Sequence, residues 1–482
     1  MFGREKIFTD ETTITANNVA QVLRDAFAIH TKNEAEIDRL YNYYKGNQPI
    51  LYRVKIIRPE ICNKIVENRA NEIVAFKTGY LCGEPLQFIS RGRTDNASDD
   101  ISKLNDMMLI SGKAAKDKEI AEWMYIAGHG YRMTLPNRET ITHKIIPRLR
   151  NRQVPFSEDE APFNVFTLDP RFTFCVYSSA LGEPCVMGVK YIKRKDSRII
   201  YSVYTASNYF EIEADKIVKS EPNPLGMVPI VEYPLNNARL GAFEIALPIL
   251  DAINTVQSNR LDGVEQFIQS LLILYNAEIE DDAAKTLREA GLIKLKSFGE
   301  NKADIKEINS QLNQQETQTL VDYMYQTVLN IVGMPNRNGG SSTSDTGAAT
   351  IVRDGWAAAE ARAKEDELMF KESERQFLKI VLRIMRDTVD TSLKLSDVEI
   401  KFTRRNYENI AAKAQVLTGM LGNEKIAPSL AFTHCGMFSD PEDAAKISAE
   451  YYAGVQAKAE AAAKAAAKAT DPSPKSAGDA SD

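Results

Sequence analysis

The sequence predicts an α+β protein built from two to four structural units, and three observations carry that prediction. Its 482 residues exceed what one compact domain usually needs. Residues 128–235 are rich in Tyr, Phe, Val, Ile and Thr in short runs (NVFTLDP, RFTFCVYSS, CVMGVKYIK, RIIYSVYT, YFEIE) separated by Gly, Pro, Asp and Asn, the pattern of five or more strands. On both sides of that region the apolar spacing is helical, over stretches of up to forty residues. Hydrophobic residues at 44% and charged residues at 26% suit a core-forming soluble chain and exclude a wholly disordered or fibrous one.

In chain order, residues 15–45 carry Val19, Val22, Leu23, Phe27, Ile37 and Leu40 at helical spacing, with a glycine stop after YYK. A second helix is expected over 61–76. Gly79 and Gly83 then mark a turn into a short strand at 86–89, and a third helix spans 101–127. After the β region, residues 246–272 keep three-and-four spacing without a slip, a helix roughly 40 Å long with Pro248 in its first turn. A small mixed segment at 276–308, with a strand candidate at 292–295, leads to a helix over 312–332. Together these form an αα-hairpin with a decorated tip. The segment PNRNGGSSTSDTG (335–347) is a flexible loop by composition, with Asp345 available as a cap. Residues 348–389 are helical, but their centre (360–375) is dominated by mixed charge. A helix with such a middle is expected to bridge subunits or line a wet space rather than bury itself in one domain. The strand VEIKF, helices at 409–421 and 441–467, an alanine-lysine stretch and a disordered end (DPSPKSAGDASD) complete the chain.

The composition narrows the function. The richest apolar stretch is broken by Pro248, Asp251, Asn254, Arg260, Asp262 and Glu265, so no membrane-spanning helix is expected, and MFGREKIFTDE has no apolar core of a secretory signal. With 60 Lys+Arg against 66 Asp+Glu the net charge is −6, so any contact with DNA should be local, loose or transient. Five scattered cysteines make a disulfide framework improbable; Cys62 and Cys82 read as small core residues. The four histidines and the adjacent pair His434–Cys435 offer no metal set, and no glycine-rich phosphate loop or Gly-x-Ser-x-Gly elbow occurs, so no cofactor is expected. Asp397, Glu399 and Lys401 in SDVEIKF match the carboxylate-x-carboxylate-x-lysine spacing of some Mg²⁺ nucleases. Their alternation with Val398, Ile400 and Phe402 fits a half-buried strand better.

Several strings, in order, resemble the portal proteins of tailed bacteriophages of the siphophage type. Tyr43-Tyr44-Lys45-Gly46, Asn63-Lys64-Ile65-Val66-Glu67-Asn68 and Lys77-Thr78-Gly79-Tyr80-Leu81-Cys82-Gly83-Glu84-Pro85 resemble that family's wing entry. Leu168-Asp169-Pro170 before FTFCVY resembles its wing β-region, and Ser344-Asp345-Thr346-Gly347-Ala348-Ala349 its tunnel loop and helix. The likeness covers about residues 20–450. A Ser-x-x-Thr helix start usual in the crown is missing near 423–426, and His434-Cys435 is not a family feature.

The resemblance implies a portal fold with long stem and tunnel helices, a mixed α/β wing, a small clip insertion and a helical crown. Its parts would be a wing (1–240), a stem helix (241–275), the clip (276–310), a second stem helix (311–332), a tunnel loop (333–347), a tunnel helix with closing wing strand (348–404), and a crown with disordered tail (405–482). It implies a non-enzymatic ring of twelve, or thirteen when isolated, at one capsid vertex of the virion, assembled in the host cytoplasm. The partners would be terminase, major capsid and scaffolding proteins, a head-completion adaptor and double-stranded DNA, with no membrane. Asn336, Arg337, Asn338, Ser341, Ser342, Thr343, Ser344 and Asp345 would form the DNA-facing tunnel loop, with Arg337 its sole cation. Glu278, Glu280, Asp281, Lys294 and Lys296 would present the clip to terminase. Alternatives remain: 335–347 as a plain connector, the clip as an ordinary hairpin insertion, the alanine-lysine tail as a solubilising end, and the whole chain as a helical prophage adaptor or a Mg²⁺ nuclease.

Overall fold

The computed structural model describes residues 3–91, 97–137, 160–268, 271–275, 277–278, 296–297, 304–308, 314–336, 355–389, 391–403, 410–438 and 441–469. The chain divides into two compact units, one from residues 1–83, 107–341 and 352–391, the other from 84–106, 342–351 and 392–482.

In the first unit, β1 (Ile7–Thr9) was not anticipated from the sequence; it pairs parallel with a later strand, Ile7 opposite Val176. Helix α1 (Val19–Tyr44) falls inside the expected 15–45. Helix α2 (Arg69–Cys82) starts eight residues later than 61, because Asn68 caps it by accepting the Asn71 amide at 3.3 Å. The residues before Asn68 are extended for a specific reason. The backbone N–H groups of Asn63, Ile65 and Glu67 donate to Asp262 Oδ1 (2.7 Å), Ser258 Oγ (3.0 Å) and Asn254 Oδ1 (2.8 Å). Two residues of extended chain advance about 6.6 Å and four residues of helix about 6 Å, so alternate amides match every fourth helical residue. Two of the polar residues that interrupt the apolar stretch, Asn254 and Asp262, belong to this ladder. Gly79 lies inside α2 rather than at a turn.

Strand β2 (Gln87–Ser90) belongs to the second unit, which holds residues 84–106 before the first unit resumes at 107. The single helix expected over 101–127 is two, α3 (Ala97–Ile110) and α4 (Lys113–Ala127), broken where Gly112 takes φ +66°, a left-handed conformation that costs glycine little. The β region follows as β3 (His129–Pro136), β4 (Phe163–Leu168), β5 (Thr173–Ser178), β6 (Cys185–Lys193), β7 (Ile199–Thr205), β8 (Asn208–Glu213), β9 (Lys216–Pro222) and β10 (Ile230–Pro234). Among the described residues they form a six-stranded sheet, β1-β5-β6-β7-β8-β9, and a three-stranded sheet, β10-β3-β4. Helix α1 lays Val19, Val22, Leu23 and Ala26 on the larger sheet, against Phe174, Val176, Met187, Val189, Tyr191, Val203, Phe210 and Ile212. Each buried Val, Leu, Ile, Phe and Met among them contributes roughly 1.5–3 kcal/mol by leaving water.

Helix α5 (Leu247–Ile268) is shorter than the expected 246–272. The run LLILY leaves it as β11 (Leu271–Tyr275), because a short continuous apolar run satisfies either pattern and here finds a partner strand. The tip holds β12 (Ala277–Glu278), β13 (Lys296–Ser297) and β14 (Asp304–Ile308), with β11 pairing β14 and β12 pairing β13. The strand expected at 292–295 lies outside the described residues. Helix α6 (Gln314–Val332) returns alongside α5, where Arg260 reaches Gln314 and Gln318.

Helix α7 (Trp356–Thr388) packs on β10 and β3. Its mixed-charge centre corrects the expectation of a helix that cannot be buried. Ala363, Phe370, Ser373 and Glu374 form one buried stripe, while Arg362, Lys364 and Glu365 sit outside. The burial of Glu374 is possible because it enters an ion network described below.

In the second unit, β15 (Val398–Lys401) pairs antiparallel with β2, Val398 and Ile400 inward. The Asn105 side chain closes the β2 backbone, donating to the Phe88 carbonyl (2.8 Å) and accepting its amide (3.2 Å). Helices α8 (Ile410–Leu421), α9 (Pro428–Cys435) and α10 (Pro441–Ala469) follow; α9, not anticipated, opens with Pro428 at its first position. The alanine-lysine part of α10 is helical and exposed at 451–464. The end DPSPKSAGDASD lies outside the described residues.

Candidate functional site

The described residues build the base on which the predicted loop stands. Helix α6 stops at Val332, Gly333 turns the chain at φ +70°, and Met334 and Pro335 are buried. Gly355, at φ +80°, then opens α7; a Cβ there would sit 3.8 Å from Pro335 Cα. A Cβ on Gly333 would lie 2.6 Å from Arg362 Cγ, so any side chain there would require Arg362 to shift, on top of the left-handed backbone. The chain therefore leaves and re-enters the fold at adjacent points. Of the predicted loop residues, Asn336 lies at this exit; Arg337, Asn338, Ser341, Ser342, Thr343, Ser344 and Asp345 lie outside the described residues.

Helix α2 clamps both arms of the base. On the α6 side, the Arg69 guanidinium sits 4.1 Å from the Tyr325 ring centre, and the Tyr325 hydroxyl donates to Glu72 at 2.9 Å. On the α7 side, Trp356 packs against Phe76 (6.1 Å) and Tyr80 (6.2 Å), and the Tyr80 hydroxyl donates to Glu360 at 2.8 Å. Further along, Asp366 accepts from the Tyr125 hydroxyl at 3.0 Å and faces Lys77 at 3.9 Å. Burial raises the Asp366 carboxyl and lowers the Lys77 ammonium from their ordinary values.

A buried ion quartet fixes α7 more deeply. Lys113 and Asp117 of α4, Arg132 of β3 and Glu374 of α7 are all buried. Lys113 Nζ lies 2.7 Å from both Asp117 and Glu374; Arg132 binds Glu374 at 2.8 Å and also contacts Asp117. The Tyr233 hydroxyl donates to Glu374 at 2.8 Å. Burial would raise the Glu374 carboxyl, but the Lys113 and Arg132 charges outweigh it and hold it below the usual range.

At the hairpin tip, Glu278 and Lys296 stand directly opposite in the β12–β13 register, so two predicted clip residues are adjacent on the backbone. Glu280, Asp281 and Lys294 lie outside the described residues.

The nuclease-like trio does not converge. Asp397 accepts the Lys394 amide at 3.1 Å, Glu399 pairs with Arg91 at 2.8 Å, and Lys401 donates to the Phe438 carbonyl at 2.9 Å. Among the described residues, no His, Cys, Asp and Glu cluster could hold a metal, and no helix is long and apolar enough to cross a membrane. His434 is exposed while Cys435 is buried, as adjacent helical residues diverge. Cys62 and Cys82 are half-buried, and burial pushes the Cys82 thiol well up.

The α2 clamp and the quartet were missed from the sequence. The only available signal was the Lys113/Asp117 spacing, which reads equally as a surface pair.

A family model described as "Phage portal protein, SPP1 Gp6-like" matches residues 24–468. No curated protein matches the chain. Among solved structures, a chain titled "Neck of empty GTA particle computed with C6 symmetry" is similar at 10% identity, over 76% of this chain and 90% of that one, with a TM-score of 0.41.

Proposed function

Because the chain belongs to the phage portal protein family, SPP1 Gp6-like type, we propose that it forms a homo-oligomeric ring at one capsid vertex, a conduit for DNA during genome packaging and ejection. The single observation that carries this reading is the match across residues 24–468, which takes in the β region, the hairpin and the long helix together. In this reading the protein is not an enzyme. ATP hydrolysis belongs to a terminase docked on the tip that includes Glu278 and Lys296. Residues 1–240 act as wing, 241–275 and 311–332 as stem, 276–310 as clip, 333–347 as tunnel loop, 348–404 as tunnel helix with closing wing strand, and 405–482 as crown. Capsid, scaffolding and head-completion proteins are the remaining partners, and the ring holds twelve subunits, or thirteen when isolated.

The physics of a conduit supports this assignment. DNA that must slide cannot be gripped, because every phosphate neutralised by Lys or Arg adds affinity and would brake movement. A chain of net charge −6 whose proposed tunnel loop contains one cation, Arg337, meets that condition. Gly333, Pro335 and Gly355 bring the two ends of this loop together, and in this reading the loop touches phosphate transiently.

Negative-stain electron microscopy with mass photometry tests the ring. Annular particles with a central hole and a mass of twelve or thirteen subunits are expected; a monomer or dimer in the phage-infected cell lysate as well as in the purified protein would overturn it. Replacing Asn336, Arg337 and Asn338 together by alanine should leave rings intact while reducing packaged or retained DNA. Wild-type packaging by that variant would remove the loop from the mechanism.

A further inference from the structure

The outward seam of α7 changes character partway along. Its first half presents Glu365, Leu368 and Glu372, its second half Arg375, Lys379, Arg383 and Arg386. Steps of four, four and three residues keep these four cations within about 80° of one another, over roughly 16 Å of helix. Lys379, Arg383 and Arg386 are exposed and Arg375 is half-buried, while Phe377, Val381 and Ile384 on the opposite side are buried. Residues 375–386 (RQFLKIVLRIMR) contain no Asp or Glu, in a chain whose net charge is −6.

The subunit leaves these charges unanswered. Earlier on α7 each exposed cation has a carboxylate one turn away, as in Arg362–Glu365, Lys364–Glu360 and Lys371–Glu367. Among the described residues no carboxylate pairs with Arg375, Lys379 or Arg386, and Lys379 donates to the neutral Gln376 side chain at 2.9 Å. Arg383 faces Asp387 at 3.7 Å with both side chains about half exposed, a solvated pair that contributes little. Cations also steady the negative end of a helix, but only within its last turn, which accounts for Arg386 and not for Arg375 or Lys379.

The chemistry of the seam selects its partner. A protein interface is anchored by apolar or aromatic side chains filling pockets, and between Arg375 and Arg386 the outward side has none. The same lack of aromatic rings removes the stacking platform that holds single strands. What remains is a row of long, flexible cations about 4.5–6 Å apart. Duplex DNA offers one negative charge per roughly 1.7 Å of its axis, so each cation meets a phosphate in any register.

We propose that Arg375, Lys379, Arg383 and Arg386 form a track for the phosphate backbone of double-stranded DNA, contacted without regard to base sequence. The proposal rests on the DNA-conduit reading above and names the residues that meet the duplex. Four contacts are few beside the roughly six to ten of a tight, strongly salt-dependent binder, so a duplex on this track still slides.

The test is fluorescence anisotropy of the full-length protein with a labelled random-sequence duplex, titrated at salt concentrations from about 50 to 200 mM. A variant with Arg375→Gln, Lys379→Gln and Arg386→Gln should lower the slope of log affinity against log salt by about 2 to 3, and weaken binding at least tenfold at the lowest salt. A control with Lys190→Gln, Arg194→Gln and Lys195→Gln removes the same charge from exposed positions on and beside β6 and should keep the wild-type slope. The charge-retaining pair Arg375→Lys and Arg386→Lys should keep it too, which separates lost charge from disturbed packing. An unchanged slope in the first variant, or an equal fall in the control, would overturn the track. So would a wild-type protein that does not bind duplex at the lowest salt, and the seam would then pass to an acidic protein surface. Mass photometry of the same samples keeps the two readings apart. Wild-type rings with an unchanged slope overturn the track alone, whereas a slope that falls without any ring overturns the ring and leaves the track standing.

Discussion

Replacing Glu374 by alanine should destabilise the first unit by about 3–5 kcal/mol, measured from the urea unfolding midpoint. Glu374 is one of two carboxylates facing two cations in a region closed to water, and its removal leaves Lys113 and Arg132 with Asp117 alone. A buried charge without its counter-charge loses hydration and recovers too little from the remaining contacts. The Tyr233 hydroxyl loses its acceptor at the same time. Glu374→Gln should cost less, because the amide oxygen still accepts from Tyr233 and Arg132 although the charge is gone. A joint replacement of Lys113, Asp117, Arg132 and Glu374 by apolar residues of similar volume should cost less than Glu374→Ala, because buried ion groups seldom outperform a packed apolar core. A loss below about 1 kcal/mol for Glu374→Ala would mean that water reaches the quartet.

The quartet also shows why parts of this fold were illegible in the sequence. Short β-branched and aromatic runs in NVFTLDP and CVMGVKYIK, period-two alternation in VEIKF and helical spacing in α1, α6 and α7 are local signals, and the structure places strands and helices there. Arg132 and Glu374 are 242 residues apart, and nothing local distinguishes Glu374 from its exposed neighbours in a charged helix. The same holds for Asn254 and Asp262. In sequence they look like defects in an apolar stripe, yet they carry the amides of a segment two hundred residues upstream. Boundaries failed where a residue's conformation decided them, as at Gly112, or where pairing did, as at Leu271–Tyr275. Of the candidate site, Asn336, Glu278 and Lys296 have a place in the fold, while the clamp of Arg69, Glu72, Phe76 and Tyr80 emerges only from tertiary contact.

A second large effect should appear in acid. The first unit is expected to lose stability as pH falls from about 6.5 toward 4, at up to about 3 kcal/mol per pH unit, because of two histidines. Burial lowers His30 to about 4, against smaller opposing contributions from the Arg171 carbonyl and Glu34. Burial likewise lowers His129 to about 3, with Glu232 opposing and Arg239 and Arg4 reinforcing. His30 stacks on Phe174 at 4.5 Å and His129 meets Tyr131 edge-on at 5.2 Å, surroundings that solvate an imidazolium poorly. Between the two limits the unfolded chain takes up a proton at each histidine and the folded chain does not. Each therefore contributes stability that is complete above pH 6.5 and declines by about 1.4 kcal/mol per unit below it. The carboxylates held low, Glu232 and Glu374, act in the same direction but only below about pH 4.5, where their unfolded forms begin to protonate. Asp366, raised by burial, works the other way at the acid end. The window from 4.5 to 6.5 thus belongs to the histidines. Unfolding free energies of wild type and of a variant with His30→Phe and His129→Leu, measured across that window, separate the causes. The variant should be less pH-dependent by about 2–3 kcal/mol per unit whatever its stability at pH 7. An unchanged slope would place both imidazoles in contact with water and proton in the folded protein.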